Sequence, residues 1–393
     1  MKILKFLTVL VLAQAVSQGY AFDRETVFRD TDSTSSTEMS LSDHGKAPNQ
    51  MVYQQAGYVN ETILPVASYD QASTLAPTAT ACGAFENLCA VECAPWWAHR
   101  SSVFGELLYL RPGDTNTIYA VQQTGIVPNS SPTGPLGFTS IREQLGFRVG
   151  FNQALTNKSS LYASYAQWDG DNFNTITATG TDVLNSTMIH PSTATVGAAS
   201  LTAEARQRMG FRVVDAGLKR LYRASDCGII NWNLGLRYGY LKQGITANQT
   251  VSVANGTTSV DSNVKFNGFG IAGGLDGERR SASTGLLVYG RTMGSLLAGT
   301  WKANYRQANQ LNPGVIGNDF QEFRVSPMID AELGFGWRSA CDGFRLTTGY
   351  LFSTWFNAVN DREYIQAVRD SRLMEISDAV TFSGLTFRAE LRF

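Results

Sequence analysis

The chain is poor in what helical membrane proteins and soluble enzymes depend on. Beyond residue 21 no apolar run approaches the roughly 18 residues of a helical span, so only strands could cross a membrane. Charged residues make up 17% of the chain and the formal net charge is −1, which leaves no basic excess for nucleic acid. Histidine is scarce: His44, His99 and His190 stand far apart, so general acid–base chemistry has few candidates. The cysteines (Cys82, Cys89, Cys93, Cys227 and Cys341) include no CxxC pair, and no metal site is expected. Gly268 to Gly274 is Gly-rich, but the polar turn Asp276 to Thr284 follows it where a dinucleotide site needs a helix. No cofactor is expected.

What is present points elsewhere. Met1 to Ala21 reads as a cleaved signal peptide, with Lys2 and Lys5 before an apolar stretch and Gly19-Tyr20-Ala21 before the cleavage point. In an exported chain the cysteines read as disulfides, and their odd number leaves one thiol free or paired between molecules. Residues 22 to 95 are polar, with no sustained period, and read as a poorly ordered periplasmic segment. Trp96-Trp97 marks the entry to an ordered part, residues 96 to 393, since indoles favour the headgroup level. The 37 Gly, 21 Phe and 15 Tyr suit strands and tight turns.

Alternation then locates about ten strands, with 12 as the alternative count. They are Val103 to Arg111, Gln144 to Phe151, Ser160 to Trp168, Glu204 to Val213, Ile229 to Leu241, Asn263 to Leu275, Leu286 to Tyr305, Phe323 to Trp337, Phe344 to Phe356 and Val380 to Phe393. All reach or come within one residue of the roughly 9–11 residues of a tilted membrane strand. In Ile229 to Leu241, Ile230, Trp232, Leu234, Leu236, Tyr238 and Tyr240 form one face, and Asn231, Asn233, Arg237 and two glycines form the other. Asn263 to Leu275 and Leu286 to Tyr305 change phase part-way. Short links (Asn152 to Ser159, Arg223 to Gly228, Asp276 to Thr284, Ser339 to Gly343) alternate with long ones. That asymmetry belongs to an all-β, transmembrane, antiparallel up-and-down barrel with short periplasmic turns and long extracellular loops.

If the apolar faces meet lipid, the polar faces line a lumen. Arg148, Arg206, Arg208, Arg212, Arg237, Arg324, Arg345, Arg388 and Arg392 are then expected inside, with Glu204, Asp330, Glu332 and Glu390. Arg212, Arg237, Asp330 and Glu332 are the candidate constriction. An excess of arginine would favour anions, although the same residues could form ion-pair ladders that fill a narrow barrel. His190-Pro191-Ser192 and Asp169 with Asp171 are the candidates for a barrel hydrolase. A His beside Pro in a long loop reads more naturally as a loop residue, so no catalytic site is expected.

The block Val103-Phe-Gly-Glu-Leu-Leu-Tyr-Leu-Arg-Pro112, with Ile118-Tyr-Ala-Val121, Phe147-Arg-Val-Gly-Phe151 and Gly294-Ser-Leu-Leu-Ala-Gly299, resembles the pore-forming outer-membrane protein family typified by the Legionella major outer-membrane protein, including its planctomycete-type members. The resemblance spans residues 96 to 393. It implies a porin-like role and disulfide-linked partners, and it brings no site residues with it. The expectation is an outer-membrane porin passing small polar solutes or ions. The alternative is a structural or surface-interaction barrel with a plugged lumen, and a hydrolase comes third. Outer-membrane lipids and the outer-membrane assembly machinery, reached through the strand ending at Phe393, are the expected partners; nucleic acid is not.

Overall fold

A computed structural model describes residues 95–393, apart from 114, 126–129, 194–199, 252–255, 282, 311–315, 340–341 and 374–375. The signal peptide, the N-terminal segment, and Cys82, Cys89, Cys93 and Cys341 lie outside the described residues. Thirteen strands form one antiparallel sheet: β1 (Ser102–Pro112), β2 (Thr117–Gln123), β3 (Pro132–Thr139), β4 (Gln144–Thr156), β5 (Ser159–Thr177), β6 (Val183–Ser186), β7 (Ser200–Ala224), β8 (Gly228–Val251), β9 (Gly256–Arg280), β10 (Leu286–Asn309), β11 (Ile316–Arg338), β12 (Phe344–Ala358) and β13 (Asp378–Arg392). Ten of them close into a ring, in the order β7-β5-β4-β1-β13-β12-β11-β10-β9-β8 and back to β7. The first ring strand meets the last along the whole of β1, from Ser102↔Arg392 to Pro112↔Phe382. Closure leaves the ring no free edge, as a bilayer requires. The three short strands β2, β3 and β6 join β7 through Leu184↔Ser200.

All ten expected strands are present, and Leu286–Asn309 is one continuous strand. The short turns are also present; the one between β4 and β5 is only Asn157-Lys158. The long links differ from expectation. Lys242 to Ser262 and Arg306 to Glu322, read as loops, are mostly strand, because β8 and β9 pair from Gly228↔Arg279 to Val251↔Gly256. At 24 residues β8 is about 80 Å long, far more than a bilayer needs. The last long link carries the only helix of four or more residues among those described, α1 (Asp361–Arg369), capped by the Asn360 side chain accepting from the Arg362 amide.

The extra length explains the sequence pattern. On β9 the outward residues Phe269, Ile271 and Leu275 are apolar near the short turn, while Asn267, Lys265, Asn263 and Asp261 face outward farther along. The inward residues do the reverse: Asp276 and Glu278 lie near the turn, and Phe266, Val264 and Val260 are buried farther along. The strand keeps its phase throughout and its surroundings invert. The apparent phase changes in β9 and β10 are this inversion, at the point where the barrel leaves lipid for water.

Candidate functional site

The lumen has two storeys. In the membrane-level storey, side chains from the ring strands form ion pairs across the interior. Arg237 on β8 is buried. Its Nε and Nη2 donate to Asp215 Oδ1 and Oδ2 at 2.6 and 3.1 Å, and its Nη1 donates to Asp330 Oδ2 at 2.7 Å. Glu332 on β11 accepts from the Tyr289 hydroxyl at 2.6 Å and pairs with Arg148 at 3.6 Å and Arg291 at 3.8 Å. Arg148 also donates to Glu106 at 3.0 Å. Arg388 donates to Glu390 at 3.0 Å and lies 3.5 Å from the centre of the Phe104 ring. Arg345 pairs with Glu278 at 2.8 Å, and Lys219 pairs with Asp276. Buried charges persist only when paired in this way.

These groups surround a chamber of about 210 Å³. The chamber is roughly balanced in charge, with Arg100, Arg148, Lys219, Arg237, Arg291, Arg345, Arg388 and Arg392 against Asp215, Asp276, Glu278, Asp330, Glu332 and Glu390. Several of its polar atoms accept or donate no hydrogen bond among the described residues, among them the Nε of Arg345 and Arg388 and the Tyr162 hydroxyl. Such a polar space suits water. The segment entering the barrel, Trp96 to Arg100, lines it toward the short turns. The Trp96 ring lies 4.0 Å from the Arg280 guanidinium and 5.4 Å from that of Arg338. His99 bonds Ser160 at 2.8 Å and Asn231 at 3.2 Å, and burial, reinforced by Lys219, pushes its imidazole below the ordinary range.

The extracellular storey is filled. Phe211 on β7 meets Phe382 on β13 at 4.8 Å between ring centres, although four strand steps separate them around the wall. Trp168 packs on both. Phe266 packs on Trp301 and Trp355. Trp355 on β12 reaches β8: a Cβ added at Gly239 would stand 2.8 Å from its ring, so that strand needs glycine there. Helix α1 is tied in above. Ser262 Oγ donates to Asp361 Oδ1 at 2.5 Å, Gln243 donates to the Val359 carbonyl at 3.0 Å, and the Tyr364 hydroxyl donates to the Asn318 carbonyl at 3.0 Å. Burial, with Asp261 nearby, pushes the Asp361 carboxyl up to about 7.

Of the residues expected inside, Arg148, Arg237, Asp330, Glu332, Arg388 and Glu390 come together in the membrane-level network, and Arg345 and Arg392 join them. Arg324 also faces inward, but it lies high in the barrel, where it donates to the Ile376 carbonyl at 2.7 Å. Arg206, Arg208 and Arg212 do not line the lumen. They lie on the outer face of β7, as does Glu204, while Met209, Phe211 and Val213 are buried inside. This part of β7 stands above the lipid, so its apolar face turns inward. The constriction set therefore loses Arg212, which stacks over Tyr240 at 5.9 Å.

Reasoning from lipid-facing alternation missed Glu106, Asp215, Lys219, Asp276 and Arg291. Asp215 and Lys219 continue the odd-numbered phase of β7 past the expected strand end, which is the signal that could have found them. His190 Nδ1 and Ser192 Oγ are 2.8 Å apart within one turn, and the Ser192 amide donates to the same nitrogen. Asp169 and Asp171 face outward, paired with Lys242 and Arg206. Cys227, in the turn after β7, forms no disulfide among the described residues.

Among solved structures, the outer-membrane protease OmpT of Escherichia coli is similar at 12% identity, covering 77% of this chain and 99% of that one with a TM-score of 0.41. The Pseudomonas putida toluene transporter TodX is 9% identical over 76% of this chain and 91% of its own, with a TM-score of 0.30. The outer-membrane channel DcaP of Acinetobacter baumannii is 10% identical over 75% and 96%, with a TM-score of 0.15. No curated protein matches the chain. The family described as Legionella pneumophila major outer membrane protein precursor matches residues 94–393. With three quarters of its length matched and a closed ring of lipid-facing strands, this chain is an outer-membrane β-barrel that belongs to that family.

Proposed function

We propose that the protein works as a closed outer-membrane barrel whose extracellular extension is its working surface, rather than as an open porin. One observation carries this reading: Phe211 and Phe382 touch across the lumen at 4.8 Å. A barrel of ten strands is narrow enough for such side chains to fill it. The strands β7 to β11 then serve as a tall, water-facing wall that holds its loops well clear of the bilayer. In this reading residues 1–21 direct export, residues 22–95 stay on the periplasmic side, and no catalysis is involved. Planar-bilayer recordings of the refolded wild-type protein should show no single-channel steps. Regular steps from the wild type would overturn the reading.

A second reading is a narrow passage for small polar solutes, and the charged chamber of about 210 Å³ on the periplasmic side favours it. Solutes would then pass only after the aromatic layer moved aside. The near balance of acids and bases makes any preference for anions weak. Reversal potentials in a salt gradient, measured on a variant opened by Trp355→Ala, test that selectivity.

A further inference from the structure

The outer face of the wall carries an arrangement that strand pairing alone would disfavour. Lys242, Lys265 and Lys302 stand directly opposite one another on β8, β9 and β10. Like charges at paired positions repel. Only Lys242 is answered by a carboxylate, Asp169 at 2.7 Å; Lys265 and Lys302 are exposed and make no ion pair among the described residues. Between these two lysines and β11 lies a surface groove of about 340 Å³, which Asn263, Asn304 and Gln321 also line. Its one carboxylate, Asp319, is already held by Arg306 at 2.8 Å.

The groove's level is fixed by register. Phe323 on β11 is the next outward residue below Gln321, and Phe269 is the second below Lys265. Both belong to the apolar band. A ligand seated here would touch lysine ammoniums and side-chain amides with its polar end, while its apolar part lay down the band over Ile271 and Leu296. We propose that this groove binds the phosphorylated sugar headgroup of an outer-leaflet glycolipid, with its acyl chains on the apolar band below. Anionic phosphate relieves the repulsion between the lysines; the Gln321 amide and the side-chain carbonyls of Asn263 and Asn304, whose NH2 groups donate to Asp261 and Asp319, suit sugar hydroxyls.

The test uses the full refolded protein in detergent and native mass spectrometry, with bisphosphorylated lipid A, dephosphorylated lipid A and inorganic phosphate as separate probes. The wild type should retain bisphosphorylated lipid A in preference to the dephosphorylated form. Lys265→Gln with Lys302→Gln should weaken that binding about tenfold, while Lys158→Gln, in the turn between β4 and β5, should leave it unchanged. Gel heat-modifiability establishes that each variant is folded. Equal retention of the two lipids, equal losses in the groove and turn variants, or competition by inorganic phosphate at the lipid's own concentration would each overturn the proposal.

Discussion

The two halves of each long ring strand obey opposite rules. Near the short turns β8 turns Leu234 and Leu236 to lipid and Asn231 and Arg237 to the interior; farther along it turns Lys242 and Thr246 to water and buries Leu241, Ile245 and Ala247. Backbone, period and handedness are unchanged across the boundary. Only the solvent differs. The core of the membrane half is therefore a charge network stabilised by pairing, and that of the extracellular half is an aromatic core stabilised by apolar burial. A β-barrel can thus be a membrane protein and a water-soluble one along a single strand.

The largest effects should come from attacking each core with the wrong chemistry. Arg237→Ala leaves Asp215 and Asp330 buried without their shared cation and should cost about 3–5 kcal/mol, read from urea unfolding of the folded fraction on gels. Trp355→Ala, in the other storey, should cost a similar 3–5 kcal/mol by leaving a cavity, and should also admit ion current in planar bilayers. Conduction from Arg237→Ala with none from Trp355→Ala would put the barrier in the wrong storey.

The outer faces give a middle-sized contrast. Leu234→Arg, within the apolar band, should cost about 2–4 kcal/mol. Ala308→Arg, outward on the extension of β10, should stay within about 0.5 kcal/mol. Equal penalties in lipid vesicles would mean that the boundary is misplaced.

The most local effect is a pH dependence confined to α1. The Asp361 carboxyl titrates at about 7 in the folded barrel against an ordinary 3.8. Its contribution is therefore complete below about pH 4 and is lost as pH rises through 7. Amide exchange over residues 361–369, corrected for intrinsic rates, should be faster at pH 8 than at pH 5. Asp361→Asn should flatten that difference. A slope that survives the substitution would assign the effect to another group.

The ring itself was legible in the sequence because lipid imposes a period of two with apolar residues outward, and Ile230 to Tyr240 displays it without interruption. The same rule failed where lipid ends. Applied to Glu204 to Val213, it sent Arg206, Arg208 and Arg212 inward, since Met209, Phe211 and Val213 look the same whether they face acyl chains or an aromatic core. It also ended β8 at Leu241, although Leu241, Gln243, Ile245, Ala247 and Gln249 continue the inward phase to the far end of the strand. The meeting of Phe211 with Phe382 was beyond reach. It depends on ring diameter, and no local pattern encodes the distance between strands far apart in order.

The Trp96 ring, set beside cations at the ends of two different strands, has a mechanical consequence. Any tug on the chain from the periplasm would be borne first by one flat indole in contact with Arg280 and near Arg338, not by the ladder bonds behind it. The indole would yield before the His99 anchors on Ser160, Asn231 and Asn157, and all of these before the wall, so the strap would come away in steps.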